Sequence, residues 1–88
     1  MSNDVEIEIS GREAWLILEY GYPFPEQAEL FNPISKERGY YSVKVDRYWL
    51  EMILEDLCRS YREVKSASLQ DELEALCDTL EVSVGHAS

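Results

Sequence analysis

"SGREAWLILEY", residues 10–20, is the stretch on which the fold turns. Ala14 to Tyr20 is apolar on both faces of an extended chain, which suits a central strand covered at least partly on both sides. Ser10-Gly11-Arg12-Glu13 before it supplies a turn. Upstream, Val5-Glu6-Ile7-Glu8-Ile9 alternates apolar and acidic residues with period two, the pattern of a half-buried strand. Together these segments read as a hairpin.

Downstream comes "EYGYPFPEQ", residues 19–27. Pro23 and Pro25 remove two backbone donors and bias Tyr22 and Phe24 toward extended conformations. This segment reads as a lid over a small core, with Phe24 buried and Tyr22 exposed; the other reading is a recognition loop. In the segment 28–34 a third strand over residues 28–32 is preferred to a short helix running to Phe31 with Pro25 in its first turn. "SKERG" (35–39) then forms the hairpin turn, with Gly39 left-handed. "YYSVKVD" (40–46) is a strand with Tyr41, Val43 and Val45 on one face.

Asp46 caps a helix running to about Val64. Its apolar side includes Trp49, Leu50, Ile53, Leu54, Leu57, Cys58 and Tyr61, roughly half the circumference. Ser68 with Asp71 makes a capping-box-like start for a second helix, 69–81, with an apolar stripe of Leu69, Leu73, Leu76, Cys77 and Leu80. The expectation is therefore an α+β fold. A small antiparallel sheet of three to four strands (residues about 4–45) precedes two helices (about 46–64 and 69–81) packed on one face. Residues 1–88 read as one domain, with 1–3 and 83–88 as frayed termini.

Composition sets the limits on function. The chain is 45% hydrophobic and 11% aromatic with four Gly and three Pro, too apolar for a disordered segment. No run approaches the roughly 18 apolar residues of a membrane span, and no basic region precedes an apolar one at the start. A soluble, cytoplasmic protein is expected. The net charge is −10 and the isoelectric point about 4.4, which disfavours direct binding to nucleic acid or anionic membranes. The charge is zoned. Residues 1–39 hold eight acidic and three basic groups, residues 40–65 five of each, and residues 66–88 five acidic groups with no Lys or Arg.

Catalytic signals are sparse. No glycine-rich phosphate loop, His-Glu-x-x-His or EF-hand spacing occurs. The single histidine, His86, sits near the end of the chain. Cys58 and Cys77 lie on apolar helix faces and read as buried, reduced and metal-free, with an inter-helix disulfide as the lesser reading. No catalytic residue, metal or cofactor is assigned; a hydrolase using a carboxylate pair is the distant alternative.

Two surface constellations point instead to binding. Asp71, Glu74, Asp78 and Glu81, at i, i+3, i+7 and i+10, align along one face opposite the leucine stripe, with no basic side chain in that helix to offset them. Tyr48 and Met52, four apart, project away from the broad apolar face of the preceding helix among charged neighbours, and Tyr22 joins them as an exposed ring. The reading is a non-enzymatic acidic module that binds a basic surface of a partner protein, as an inhibitor or nucleic-acid mimic. The alternative is a self-associating module, a homodimer held by its apolar and aromatic surface.

Overall fold

Ser10 ends the first strand and starts a helix in the same residue. Its Oγ accepts from the Glu13 amide at 3.1 Å, and the Glu13 carboxylate accepts from the Ser10 amide at 2.9 Å. This reciprocal capping box satisfies two backbone donors at once. The stretch after it becomes α1 (Gly11–Tyr20), not a turn and a strand. The apolar run still suits a buried element: Ala14, Leu16 and Ile17 are fully enclosed.

The computed structural model describes residues 4–86, with the backbone alone at residue 86. Along them run β1 (Asp4–Ser10), α1, α2 (Pro25–Phe31), a 3-10 turn (Ile34–Lys36), β2 (Tyr40–Asp46), α3 (Arg47–Glu63) and α4 (Ala67–His86). The class is α+β. The sheet, however, has two strands and not three to four, and two helices stand where strands were expected. In α2, Pro25 occupies the first turn, where its missing N–H is an orphan in any case. Its geometry thus takes the short-helix option for residues 28–31 over the strand, and Phe31 is driven fully into the core. No hairpin joins 5–9 to 14–20. Instead β1 pairs antiparallel with β2, Val5 opposite Val45 and Ile7 opposite Val43.

The pairing sorts the sheet into two faces. Val5, Ile7, Ile9, Val43 and Val45 are buried, whereas Glu6, Glu8, Ser42 and Lys44 face outward and exposed. Glu6 stands directly across from Lys44, a favourable cross-strand pair. Two strands alone are marginal in water, so the helices must cover the inner face. Leu16 and Ile17 of α1, Leu50, Ile53 and Leu57 of α3, and Leu73, Leu76 and Leu80 of α4 complete one core with the strands and Phe31.

Two residues fix how closely α1 approaches its neighbours. Gly11 is buried, and a Cβ there would overlap the Glu37 carbonyl oxygen and lie 2.9 Å from that of Ile34. At the other end, Ser60 of α3, 4% exposed, donates its hydroxyl to the Tyr20 carbonyl at 2.9 Å. That bond satisfies an acceptor at the C-terminus of α1. Gly39 has φ +90°, the left-handed position expected of it, but it enters β2 from the 3-10 segment and closes no hairpin.

The α3–α4 pair follows the sequence more closely. Asp46 caps α3, its Oδ1 accepting from the Tyr48 amide at 2.9 Å. The cap of α4 is Ser66, not Ser68: Ser66 Oγ accepts from the Leu69 amide at 3.3 Å, and the helix begins at Ala67. Gln70 reaches back to donate to the Val64 carbonyl at 3.0 Å, closing the end of α3. α4 continues to His86, past the expected end at 81, with Val84 packed against the core. Of the residues expected to fray, 1–3 and 87–88 lie outside the described residues.

Cys58 and Cys77 face each other across this pair, both as free thiols, their Sγ atoms 3.6 Å apart in a weak hydrogen bond. Cys77 is buried, but Cys58 is only half-buried and borders an open groove with Arg59, Arg62 and Glu81. Burial, reinforced by the Cys58 contact, pushes the Cys77 thiol up to about 12.

Two outcomes are expected. In urea unfolding, Gly11→Ala should cost about 1–3 kcal/mol through overpacking, Ser10→Ala about 1 kcal/mol through the lost cap, and Leu57→Ala about 2–5 kcal/mol; a neutral Gly11→Ala would place α1 wrongly. With a thiol reagent near pH 8, where a buried thiol with a raised pKa stays protonated, Cys58 should label in the native protein and Cys77 only on unfolding. Equal rates for the two would contradict this packing.

Candidate functional site

α1 ends where Gly21 donates its amide to the Ile17 carbonyl at 2.8 Å. A helix terminus of this kind is commonly followed by a left-handed residue, usually glycine. Here the glycine comes one position early. Gly21 keeps a right-handed conformation, and the left-handed position falls on Tyr22, at φ +46°. The extended conformation that Pro23 favours in its predecessor is therefore not adopted by Tyr22. Such a backbone costs a bulky residue about 1 kcal/mol or more.

Nothing is recovered by burying the ring, because Tyr22 is 68% exposed. Phe24, expected in the core, is 51% exposed. The segment is thus a displayed loop and not a lid. It is also positioned from two sides: a Cβ on Gly21 would lie 3.0 Å from the Ile53 side chain of α3, and Phe24 starts α2 by accepting from the Ala28 amide at 2.8 Å through its carbonyl.

The first turn of α3 meets this loop. With Asp46 fixing the helix start, Tyr48 points outward, 61% exposed, and Trp49 is half-buried against the core. The Phe24 ring meets Trp49 edge-on, centroids 4.8 Å apart at 70°. Tyr48 meets Trp49 similarly, at 5.1 Å and 72°. Such edge-to-face pairs add about 0.5–1.5 kcal/mol beyond area burial. Beside them opens a small cleft of about 100 Å³, lined by Tyr22, Phe24, Trp49, Met52 and Asp56 among others. A second, shallower hollow lies between Phe24, Glu26 and Trp49. Asp56 of the first cleft accepts at 3.3 Å from Arg59, which itself borders the α3–α4 groove.

The structure gathers the sequence-selected Tyr22, Tyr48 and Met52 into one surface: Tyr22 and Met52 line the cleft, and Tyr48 adjoins it through Trp49. It does not bring the acidic set there. Asp71, Glu74, Asp78 and Glu81 are all exposed on α4 and line none of the cleft; Glu81 instead borders the α3–α4 groove near Arg59 and Arg62. A fifth carboxylate, Glu72, has a partner that α4 itself does not provide. Arg12 of α1 forks onto it, with contacts of 3.1 and 2.8 Å, and lies 4.6 Å from the Trp15 ring centroid. The hydrogen bond from Arg12 holds the Glu72 carboxyl below its ordinary range. Both side chains are more than a third exposed, 55% and 38%, so solvent screening keeps this pair at about 0.2–1 kcal/mol.

Reading the residues alone missed Phe24, Trp49 and Asp56 as site members. Trp49 carries the apolar periodicity of a core residue, and it is one on its inner side. For Phe24 the flanking prolines were the available signal, since they keep the segment out of a sheet. Among the described residues no helix is long and apolar enough to cross a membrane, and no group of three or more His, Cys, Asp or Glu could hold a metal ion.

If the left-handed backbone at Tyr22 is strained, Tyr22→Gly should be more stable than Tyr22→Ala by about 1 kcal/mol, because glycine removes the strain and alanine keeps it. Thermal unfolding of both variants checks this, and equal stability would mean that the position is relaxed. Comparison with protein-family models, with curated proteins and with solved structures gives no match to this chain.

Proposed function

We propose that this chain is a non-catalytic protein-binding module. It docks a partner on the surface formed by the rings of Tyr22, Phe24 and Tyr48 together with Met52, and its acidic α4 favours a partner with a basic surface. The observation that carries the reading is Tyr22: a bulky ring held exposed on a left-handed backbone beside other exposed rings. Backbone strain without burial contributes nothing to stability, and strained, displayed residues cluster at functional sites. Rings on a short, pre-set loop lose little entropy on binding.

The α4 carboxylates support a different part of the reading. Asp71 to Glu81 spans ten residues, about 15 Å of helix, so the four charges are spaced at about one per 5 Å. Duplex DNA carries about one per 1.7 Å. The stripe is too sparse to replicate phosphates closely, which favours a basic-protein binder or inhibitor over a nucleic-acid mimic. Such a field speeds encounter, and anchoring rings slow dissociation.

Capture of a specific partner from the source cells by the tagged full chain tests this. Tyr22→Ala and Tyr48→Ala should each raise the dissociation rate about tenfold or more, as hot-spot rings do. Reversal of Asp71, Glu74 and Asp78 to Lys should slow association and flatten its salt dependence. Undiminished capture by both ring variants would refute the reading. Sedimentation of the isolated chain addresses self-association: a dimer that persists in high salt and dissociates on Tyr48→Ala would assign the rings to a homodimer.

A further inference from the structure

We propose that the cleft beside Trp49 receives an arginine side chain of the partner, its guanidinium set against the Phe24 and Trp49 rings and paired with Asp56. This rests on the protein-binding reading and names the chemistry that the cleft selects. Two rings meeting edge to face at 70°, centroids 4.8 Å apart, both line the cleft, and an aromatic ring carries its negative charge on its faces. A cation within about 6 Å of such faces is attracted by their quadrupoles. Asp56 adds a carboxylate to the same cleft, and its side chain is only 26% exposed. A purely apolar occupant would cover that carboxylate and strip it of water without replacing the hydrogen bonds.

The cation is a guanidinium for three reasons. It is planar, weakly hydrated, and carries several donors, so it can stack on a ring and pair with a carboxylate at once; an ammonium is a strongly hydrated point charge. Asp56 is already within reach of one, accepting from Arg59 Nη1 at 3.3 Å. Arg59 is 69% exposed, so it is held weakly there and yields readily to a better-placed donor. Finally, the protein builds the same combination on itself. The Arg12 guanidinium lies 4.6 Å from the Trp15 centroid while forking onto Glu72. Indole, carboxylate and guanidinium form that triad within the chain; at Trp49 the indole and carboxylate belong to this protein and the guanidinium to its partner. The net charge of −10 and Glu26 at the neighbouring hollow act in the same direction.

The test is a titration of the full chain, followed by the indole N–H resonances, with the peptide acetyl-Gly-Gly-Arg-Gly-Gly-amide and its lysine and citrulline counterparts. Citrulline keeps the shape of arginine and removes the charge. The arginine peptide should shift Trp49 and leave Trp15 in place, with citrulline weaker by roughly tenfold and lysine intermediate. Phe24→Ala, at an exposed position, and Asp56→Asn, which keeps the shape of the side chain, should each weaken arginine binding about fivefold or more with the other resonances unmoved. Equal binding of arginine and citrulline, unchanged affinity in Asp56→Asn, or no shift at Trp49 would overturn the proposal. These outcomes are separable from the broader reading. Partner capture that depends on Tyr22 and Tyr48 but not on Asp56 removes the arginine site alone. Arginine binding as expected, with partner capture indifferent to both tyrosines, removes the docking surface.

Discussion

The reciprocal bonds between Ser10 and Glu13 set the course of the whole chain. They stop β1 at Ser10 and commit the next ten residues to a helix, because two backbone donors that a turn would leave to solvent are satisfied at the moment the helix begins. With that helix in place, β1 has no hairpin partner nearby. Its pairing must come from β2, reached only after α1, α2 and the 3-10 turn. Gly11 lets the same helix start lie against the carbonyls of Ile34 and Glu37, so the returning chain is held where it can enter β2.

A sheet of two strands cannot hold itself together in water, and four helices supply what it lacks. Its inner face of valine and isoleucine is closed by leucines from α3 and α4 and by Leu16, Ile17 and Phe31. The polar ties run in the same direction. Ser60 of α3 donates to the Tyr20 carbonyl at the end of α1, Gln70 of α4 closes α3, and Arg12 of α1 reaches Glu72 of α4. Each is modest alone, and each joins a different pair of elements.

The aromatic surface follows from how α1 ends. Gly21 lies where a Cβ would crowd Ile17 and Ile53, and the left-handed turn out of the helix falls one residue later, on Tyr22. Pro23 and Pro25 then stiffen the exit and start α2, which leaves Phe24 against Trp49 at the head of α3. Tyr22, Phe24, Tyr48 and Trp49 come from segments more than twenty residues apart and share one surface because α1 and α3 are neighbours.

The sequence by itself determined the features that depend on near neighbours: β1 and β2 from their alternation, the Asp46 cap of α3, the leucine stripe of α4, the left-handed Gly39, and the exposed carboxylates Asp71, Glu74, Asp78 and Glu81. Each rests on spacing within a single element, where geometry is local. The helical state of 11–20 was also legible in Ser10-x-x-Glu13, but the apolar run that follows fits a buried strand equally well in hydrophobicity, and only the cap separates the two. The rest was decided by tertiary structure. Ser66, not Ser68, caps α4, and Gln70 in its first turn is tied to the Val64 carbonyl at the end of α3, a contact between two elements. Phe24 stays outside with its ring against Trp49 of α3, while Phe31 at the far end of α2 enters the core. The meeting of Tyr22, Trp49 and Asp56 around one cleft depends on the packing of α1 against α3, a long-range contact that no single-element pattern encodes.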